Sequence, residues 1–386
     1  MEKRIDRRQF LRTIPGIVAG LSISMPEKRI QAEEKKSRSL VIYHLTGGIS
    51  PWESFTPFPD TANADYRGPS ASIQTQMGVR IAEYFPRTAE VLHETSLIRS
   101  LHSESSDHFL SARNMLKPDG GSTFGVRHGE KLATGGFPYS ILFMPSIYQP
   151  MDAFDFPQAF RFDWNEQEKR FPPPNLQPQN GLQERAALLK QLDTFTTDNP
   201  RIQAHQRSTE LALSLLMGGG SLQKTFNIPE ADLQRYGDSV VGRGAALTSR
   251  LATSGGGVTI LYNEEGSGFD AHSNIHERMQ SLCPQADKAL AELIRDSRRL
   301  GFVLLCTSEF GRTKKINGSA GRDHDGVHFA IGAGGRFKRG EVYGSLDKYG
   351  EIRDGKVPNK DLMNTVLEAC NVDIAPQLPR VREILQ

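Results

Sequence analysis

The sequence predicts an α/β fold with helices flanking a mainly parallel central sheet. Three observations carry that prediction. Short runs built around consecutive apolar or β-branched residues recur at residues 39–45 (SLVIYHL), 95–100 (TSLIRS), 258–262 (VTILY) and 301–306 (GFVLLC), and such runs read as buried strands. Stretches with apolar residues at three and four spacing follow or precede them, as in residues 275–300. Each run also ends at a polar loop, and strand, loop and helix in alternation is the pattern of a parallel sheet.

At the N-terminus, Asp6, Arg7, Arg8, Gln9, Phe10 and Leu11 precede a weakly apolar, glycine-containing run over residues 14–23. The run is too short to span a bilayer, and with the arginine pair before it the segment resembles a twin-arginine export signal. The expected organisation is a signal over residues 1–25, a charged linker over 26–38 and a single α/β domain over 39–386. Such a signal implies passage through the twin-arginine translocase in the folded state, and a periplasmic or secreted location. No later segment reaches the ~18 apolar residues of a spanning helix, so no stable membrane span is expected after signal removal.

The first strand, residues 39–45, stops at Thr46, Gly47 and Gly48 and delivers an irregular loop, GGISPWESFTPFPD. The second, residues 95–100, runs into LHSESSDHF and a helix over 109–115. Residues 118–178 are rich in proline and aromatics and read as loops with short strands. Two amphipathic helices are expected between 181 and 217, closed by Gly218, Gly219 and Gly220. A third, over 244–251, leads into the strand at 258–262. The loop NEEGSGFDAHSN, the helix over 275–300, the strand over 301–306 and the segment TSEFGRTKKINGSAGRDHDGVHF complete the pattern. There is no internal repeat.

Composition narrows the function. The 386 residues hold 47 basic and 45 acidic side chains, a net charge of +2, so the chain has no field that would gather nucleic acid or an anionic membrane. A small ligand fits better. The three cysteines, Cys283, Cys306 and Cys370, form no short-range pairing motif and read as buried small hydrophobes.

In a doubly wound sheet, functional groups gather on loops beyond the carboxyl ends of strands. Residues 46–53, 102–108, 270–272 and 309–328 are such loops, and a parallel sheet brings them to one edge. They carry Asp270, His272, Glu309, Asp323, His324 and His328, a mixed carboxylate and imidazole set that suits zinc or manganese ahead of calcium or magnesium. Arg312 and Arg322 fall near the same edge, where guanidinium forks clamp phosphate or sulfate. Taken singly each residue has a duller use: Asp270 can cap the following helix, and Glu309 can pair with Arg312.

The motifs SEFGRT, GRDH and GAGGRFKRGEVYG, with LTGGISPWESFTPFPD, RYGDSVVGRGAALTSRL, GFDAHSN and DLMNTVLEA in that order, resemble those of the domain of unknown function 1501 family. That family groups exported bacterial proteins with the alkaline phosphatase and sulfatase superfamily, and the resemblance spans about residues 39–372. It implies an alkaline-phosphatase-like fold with an esterase-type centre on the strand ends. It also implies Asp270, His272, Glu309 and His324 as metal ligands with Asp323 beside them, Ser50 and then Thr46 as the candidate nucleophile, and His108, with His102, as an acid–base or substrate-binding group. The family pattern is departed from at three places: Thr46 stands where the superfamily has a strand-end aspartate, Glu53 and Thr56 where the nearer family tends to have two, and Phe310 where many phosphatases have a second ligand histidine. One metal rather than two is therefore expected.

Two readings follow. In the first, the protein is an exported metal-dependent hydrolase of phosphate or sulfate esters, acting on an anionic small-molecule or glycan substrate. In the second it is a catalytically inactive relative that keeps the fold and acts in binding or assembly.

Overall fold

A computed structural model describes residues 38–59, 62–68, 71–116, 124–134, 136–144, 160–174, 223–263 and 267–386. The expected signal, the linker up to residue 37 and the two helices expected between 181 and 217 lie outside the described residues.

Among the described residues nine strands form the central sheet: β1 (Leu40–Leu45), β2 (Ser96–His102), β3 (Tyr139–Phe143), β4 (Phe160–Asp163), β5 (Val258–Asn263), β6 (Val303–Thr307), β7 (Val327–Ala333), β8 (Glu341–Tyr343) and β9 (Val357–Pro358). Their spatial order is β8-β2-β7-β6-β1-β5-β3-β4, with β9 also on β2. Every pairing is parallel except those of β7, which runs antiparallel to both β6 and β2. The mainly parallel α/β fold expected from the sequence is the one observed.

The antiparallel strand has a local cause. Parallel neighbours need a crossover that returns the chain to the opposite edge. Between β6 and β7 the chain instead doubles back, pairing His324 with Arg312 and Asp325 with Gly311. As a result β7 starts at the edge where β6 ends.

Helices cover both faces. The residues of β1 alternate: Val41, Tyr43 and Leu45 face one apolar cluster, Leu40 and Ile42 another. Helices α2 (Val240–Thr253) and α3 (Ile275–Leu300) pack into the first, α1 (His108–Leu116) and α4 (Asn359–Ala369) into the second. The strand is thus buried on both sides, which explains its nearly continuous apolar run. Each fully buried Leu, Ile or Phe contributes ~1.5–3 kcal/mol before the cost of ordering the chain. Helix α2 begins at Ser239, whose hydroxyl accepts the Gly242 N–H at 3.1 Å, and α3 ends at Gly301 with φ +85°. Helices α1 and α2 both extend beyond the lengths read from sequence. Among the described residues no helix is long and apolar enough to cross a membrane.

Candidate metal centre

Four segments meet at the carboxyl ends of the parallel strands: the loop after β1, the start of α1 after β2, the loop between β5 and α3, and the hairpin between β6 and β7. Asp107 accepts the Leu110 N–H at 2.7 Å and sets the first turn of α1, which begins at His108. The loop of Asp270 is held by Arg278, whose guanidinium donates to Gly268 O and Ser267 Oγ. The hairpin then docks on that loop: Arg322 N donates to Ala271 O at 3.0 Å, and Ser273 bridges to Ala320. The close approach requires Gly321, where an added Cβ would lie 2.1 Å from His272 C and 2.3 Å from Ser273 N.

The result is a convergence on one oxygen. Asp270 Oδ1 lies 3.1 Å from His272 Nε2, 3.3 Å from His324 Nε2 and 3.6 Å from His108 Nε2. His272 Nε2 and His324 Nε2 are 3.0 Å apart. His108, Asp270 and His324 each offer one ligand atom, all within 4.8 Å of one another. Behind the rings, His108 Nδ1 donates to Glu309 Oε1 at 2.7 Å, His272 Nδ1 to Asp323 Oδ1 at 2.9 Å and His324 Nδ1 to the carbonyl of Ser106 at 2.6 Å. A neutral imidazole that donates at Nδ1 keeps its lone pair at Nε2, so once the Nε2 protons are given up the tethers would leave three Nε2 lone pairs beside one carboxylate to face a metal. Metal-binding histidines are oriented in this way, and imidazole with carboxylate is a donor set for zinc, manganese or iron. The residues present fit a divalent transition metal.

The electrostatics agree. Burial opposes charge on His108, but hydrogen bonds with Asp270 and Glu309 outweigh it and raise its pKa to about 9. Burial likewise opposes ionisation of Asp270, yet hydrogen bonds from His108, His324 and Arg312 hold it well below the usual carboxylate range. Glu309, buried, is brought down to about 2 because its bond to His108 and the nearby His44 and His108 charges prevail over desolvation.

Several residues stand in other places than expected. Glu309 faces His108 Nδ1, the Gly47 N–H at 2.9 Å and the Ser308 hydroxyl at 2.9 Å, so it backs a ring instead of joining the convergence. Asp323, 57% exposed, backs His272 and takes an N–H of Asn317 at 3.2 Å. Arg322 is fully buried with all five of its N–H donors engaged, by Glu53, Tyr66 O, Thr313 O and Lys314 O. It has no donor left to clamp an anion. Arg312, also fully buried, binds Gly47 O, Gly48 O, Arg322 O and, at 2.5 Å, Asp270 Oδ1. The hydroxyl of Ser50, 1% exposed, donates to Glu53 within the Glu53–Arg322 pair, away from the role of nucleophile expected of it. Phe310 packs its ring 4.7 Å from that of His108 and 4.5 Å from that of His324. His328 is buried in a chain of its own, donating Nε2–H to Asn359 Oδ1 at 2.8 Å while Asn359 Nδ2 donates to Glu309 O at 3.1 Å.

His44 was not picked out by sequence reasoning. Its signal was there: a histidine inside an otherwise apolar strand run. It lies fully buried, edge-on to Tyr262 with ring centroids 5.2 Å apart, and burial lowers its pKa.

A family model described as a protein of unknown function, DUF1501, matches residues 37–382. The chain belongs to that family. No curated protein matches it. Among solved structures the DUF1501 chain is similar to a protein in the alkaline phosphatase superfamily from Vibrio parahaemolyticus, at 12% identity and a TM-score of 0.39, covering 89% of this chain and 69% of that one. It is similar to the PsFucS1 sulfatase from Pseudoalteromonas sp. at 10% identity and a TM-score of 0.41, covering 92% and 73%. It is also similar to the phosphonate monoester hydrolase SpPMH from Silicibacter pomeroyi at 10% identity and a TM-score of 0.42, covering 90% and 76%.

Proposed function

We propose that this DUF1501 protein is a metal-dependent hydrolase of phosphate or sulfate esters. The observation that carries the reading is the convergence of His108, His272 and His324 Nε2 on Asp270 Oδ1, each ring tied back at Nδ1. In this reading His108 moves from acid–base group to ligand, and Glu309 and Asp323 from ligands to the groups that orient His108 and His272. A divalent metal, zinc or manganese first, supplies charge that polarises an ester oxygen. The residues of the chain do the rest: Glu309 and Asp323 hold two rings in register, Arg312 fixes Asp270, and Phe310 excludes water beside His108 and His324.

The substrate is an anionic ester of a small molecule or glycan. The export route is proposed from the arginine pair at Arg7 and Arg8, with Phe10, Leu11 and the weakly apolar run over residues 14–23 after it, giving a signal over residues 1–25, a linker over 26–38, one α/β domain over 39–386, and a periplasmic or secreted destination by way of the twin-arginine translocase.

A second reading, a catalytically inactive binding or assembly protein, draws on different contacts. Arg312 sits on the same Asp270 oxygen that a metal would use, and Arg322 has no donor free for an anion. Metal analysis of the purified protein, followed by p-nitrophenyl phosphate and p-nitrophenyl sulfate assays of wild type and Asp270→Ala, separates the two. Metal retained with turnover that Asp270→Ala abolishes supports the hydrolase. Metal retained with no turnover supports the inactive protein, and a protein that takes up no metal sinks the hydrolase.

A further inference from the structure

We propose that Asn317, with Gly318 after it, is a deamidation site whose conversion to a carboxylate loosens His272 and so disarms the metal centre; this rests on the metal-dependent reading above. The Asn317 carboxamide sits between the hairpin and the loop it docks on. Its Nδ2 donates to the main-chain carbonyl of His272 at 3.0 Å and to Asp323 Oδ1 at 3.2 Å. That same Asp323 oxygen takes the Nδ1–H of His272 at 2.9 Å. One amide group therefore holds His272 twice, its backbone directly and its ring by way of Asp323.

Donation to both partners needs an amide, since a carboxylate has no N–H to give. Deamidation would set a second negative charge beside Asp323 and against the His272 carbonyl, and the ring would lose its fixed partner. The oxygen end of the amide favours the reaction. Asn317 Oδ1 accepts the Ser319 N–H at 3.0 Å and the Gly321 N–H at 2.9 Å. When a backbone nitrogen attacks Cγ, negative charge grows on Oδ1, and two donors already stand there to stabilise it.

The attacking nitrogen is that of Gly318, whose N–H makes no hydrogen bond among the described residues. Of the described glycines, Gly318 alone has neither a positive φ nor any atom within 4 Å of where a Cβ would stand. The fold therefore does not require glycine there. What glycine supplies is an unhindered nitrogen. It bonds to Asn317 Cγ, the Cγ–Nδ2 bond breaks, and ammonia leaves with the Gly318 amide proton. Water then opens the cyclic imide, giving aspartate, or isoaspartate when the ring opens at the backbone carbonyl.

The chain's other Asn–Gly pair, Asn180 and Gly181, supplies an internal reference for the chemistry. Full-length protein is aged zinc-free in warm, mildly alkaline buffer, its peptides are weighed, and zinc binding is followed by calorimetry. The Asn317 peptide is expected to gain the mass of an amide turned carboxylate, and zinc affinity to fall with the fraction converted. Fresh Asn317→Asp should bind zinc about 10-fold more weakly than wild type. Gly318→Ala should match wild type when fresh and keep its affinity on ageing. A general loosening of the hairpin would weaken zinc binding in any background, whereas with His272→Ala already present Asn317→Asp should cost nothing more. Conversion at Asn180 without conversion at Asn317, an Asn317→Asp protein that binds zinc like wild type, or additive losses in the double variant each overturn the proposal and leave the metal-dependent reading standing. A fresh wild type that takes up no zinc overturns both.

Discussion

Glu309 stands behind His108: its Oε1 takes the Nδ1–H at 2.7 Å, while the other ring nitrogen, Nε2, lies 3.6 Å from Asp270 Oδ1. The carboxylate therefore sets which nitrogen points into the cluster. Glu309→Gln, which keeps the shape and loses the charge, is expected to weaken zinc binding by about 10- to 100-fold in isothermal titration calorimetry. Asp270→Ala should abolish binding, and Asp323→Asn, at a side chain 57% exposed, should cost less than Glu309→Gln. Equal effects at Glu309 and Asp270 would mean that Glu309 is itself a ligand.

Zinc uptake should release a proton. His108 has its pKa raised to about 9, so at neutral pH it carries a proton at Nε2 that a metal displaces. Affinity is then expected to rise with pH up to about 9 and level off above it. Calorimetry in buffers of different ionisation enthalpy counts the proton directly, and a pH-independent affinity would contradict the assignment of His108.

The hairpin that carries His324 reaches the Asp270 loop only because residue 321 is glycine. Gly321→Ala would push a methyl to 2.1 Å from His272 backbone carbon, and either loop must move. Zinc affinity and thermal stability should fall together. Gly318→Ala, three residues earlier with open space around it, should stay within about 0.5 kcal/mol of wild type.

Glu53 and Arg322 are both fully buried, and the guanidinium meets the carboxylate through Nε at 3.0 and 2.9 Å and Nη2 at 2.7 Å. Removing one partner strands the other charge. Glu53→Leu is expected to destabilise the protein by roughly 3–5 kcal/mol in urea unfolding, while Glu53→Leu with Arg322→Met should cost less than the sum of the two single changes. Strict additivity would mean the pair is not coupled.

His328 makes stability depend on pH. Burial is the main cause that holds its folded pKa at about 4, below its ordinary 6.5. Above pH 6.5 both folded and unfolded states are neutral and the contribution is fully present. As pH falls from 6.5 to 4 the unfolded chain takes up a proton that the folded chain refuses, so stability drops by as much as roughly 3 kcal/mol. Unfolding of wild type and His328→Gln across that window should differ in slope, with the variant losing less; parallel curves would refute it.

Much of the architecture was legible because burial on two faces leaves a nearly continuous apolar run, as in LVIYHL with its single histidine, and because a strand that ends at Thr46-Gly47-Gly48 announces its loop. Helix α3 was readable from its spacing to the residue, residues 275–300. The reversed direction of β7 was not, since it depends on the ladder of His324 with Arg312, and a two-residue ladder leaves no periodic trace. The composition of the cluster was legible in the same sense. Asp270, His272 and His324 stand out as ligand-capable residues on strand-end loops, but whether a carboxylate joins a cluster or holds a ring from behind depends on a single side-chain direction.

What the sequence determined by itself is the inventory: which loops leave the sheet at one edge, and which carboxylates, imidazoles and guanidiniums they carry. Tertiary structure decided the roles. His108 meets Glu309 from 201 residues away, and Arg322 meets Glu53 from 269 away. Pairings that long have no local signature, because the hydrogen bond is chosen by the packing of the sheet and not by neighbours in the chain. Folding therefore turned two expected anion-holding arginines into buried struts, an expected nucleophile into a partner of Glu53, and an unremarked strand histidine into the neighbour of Thr46.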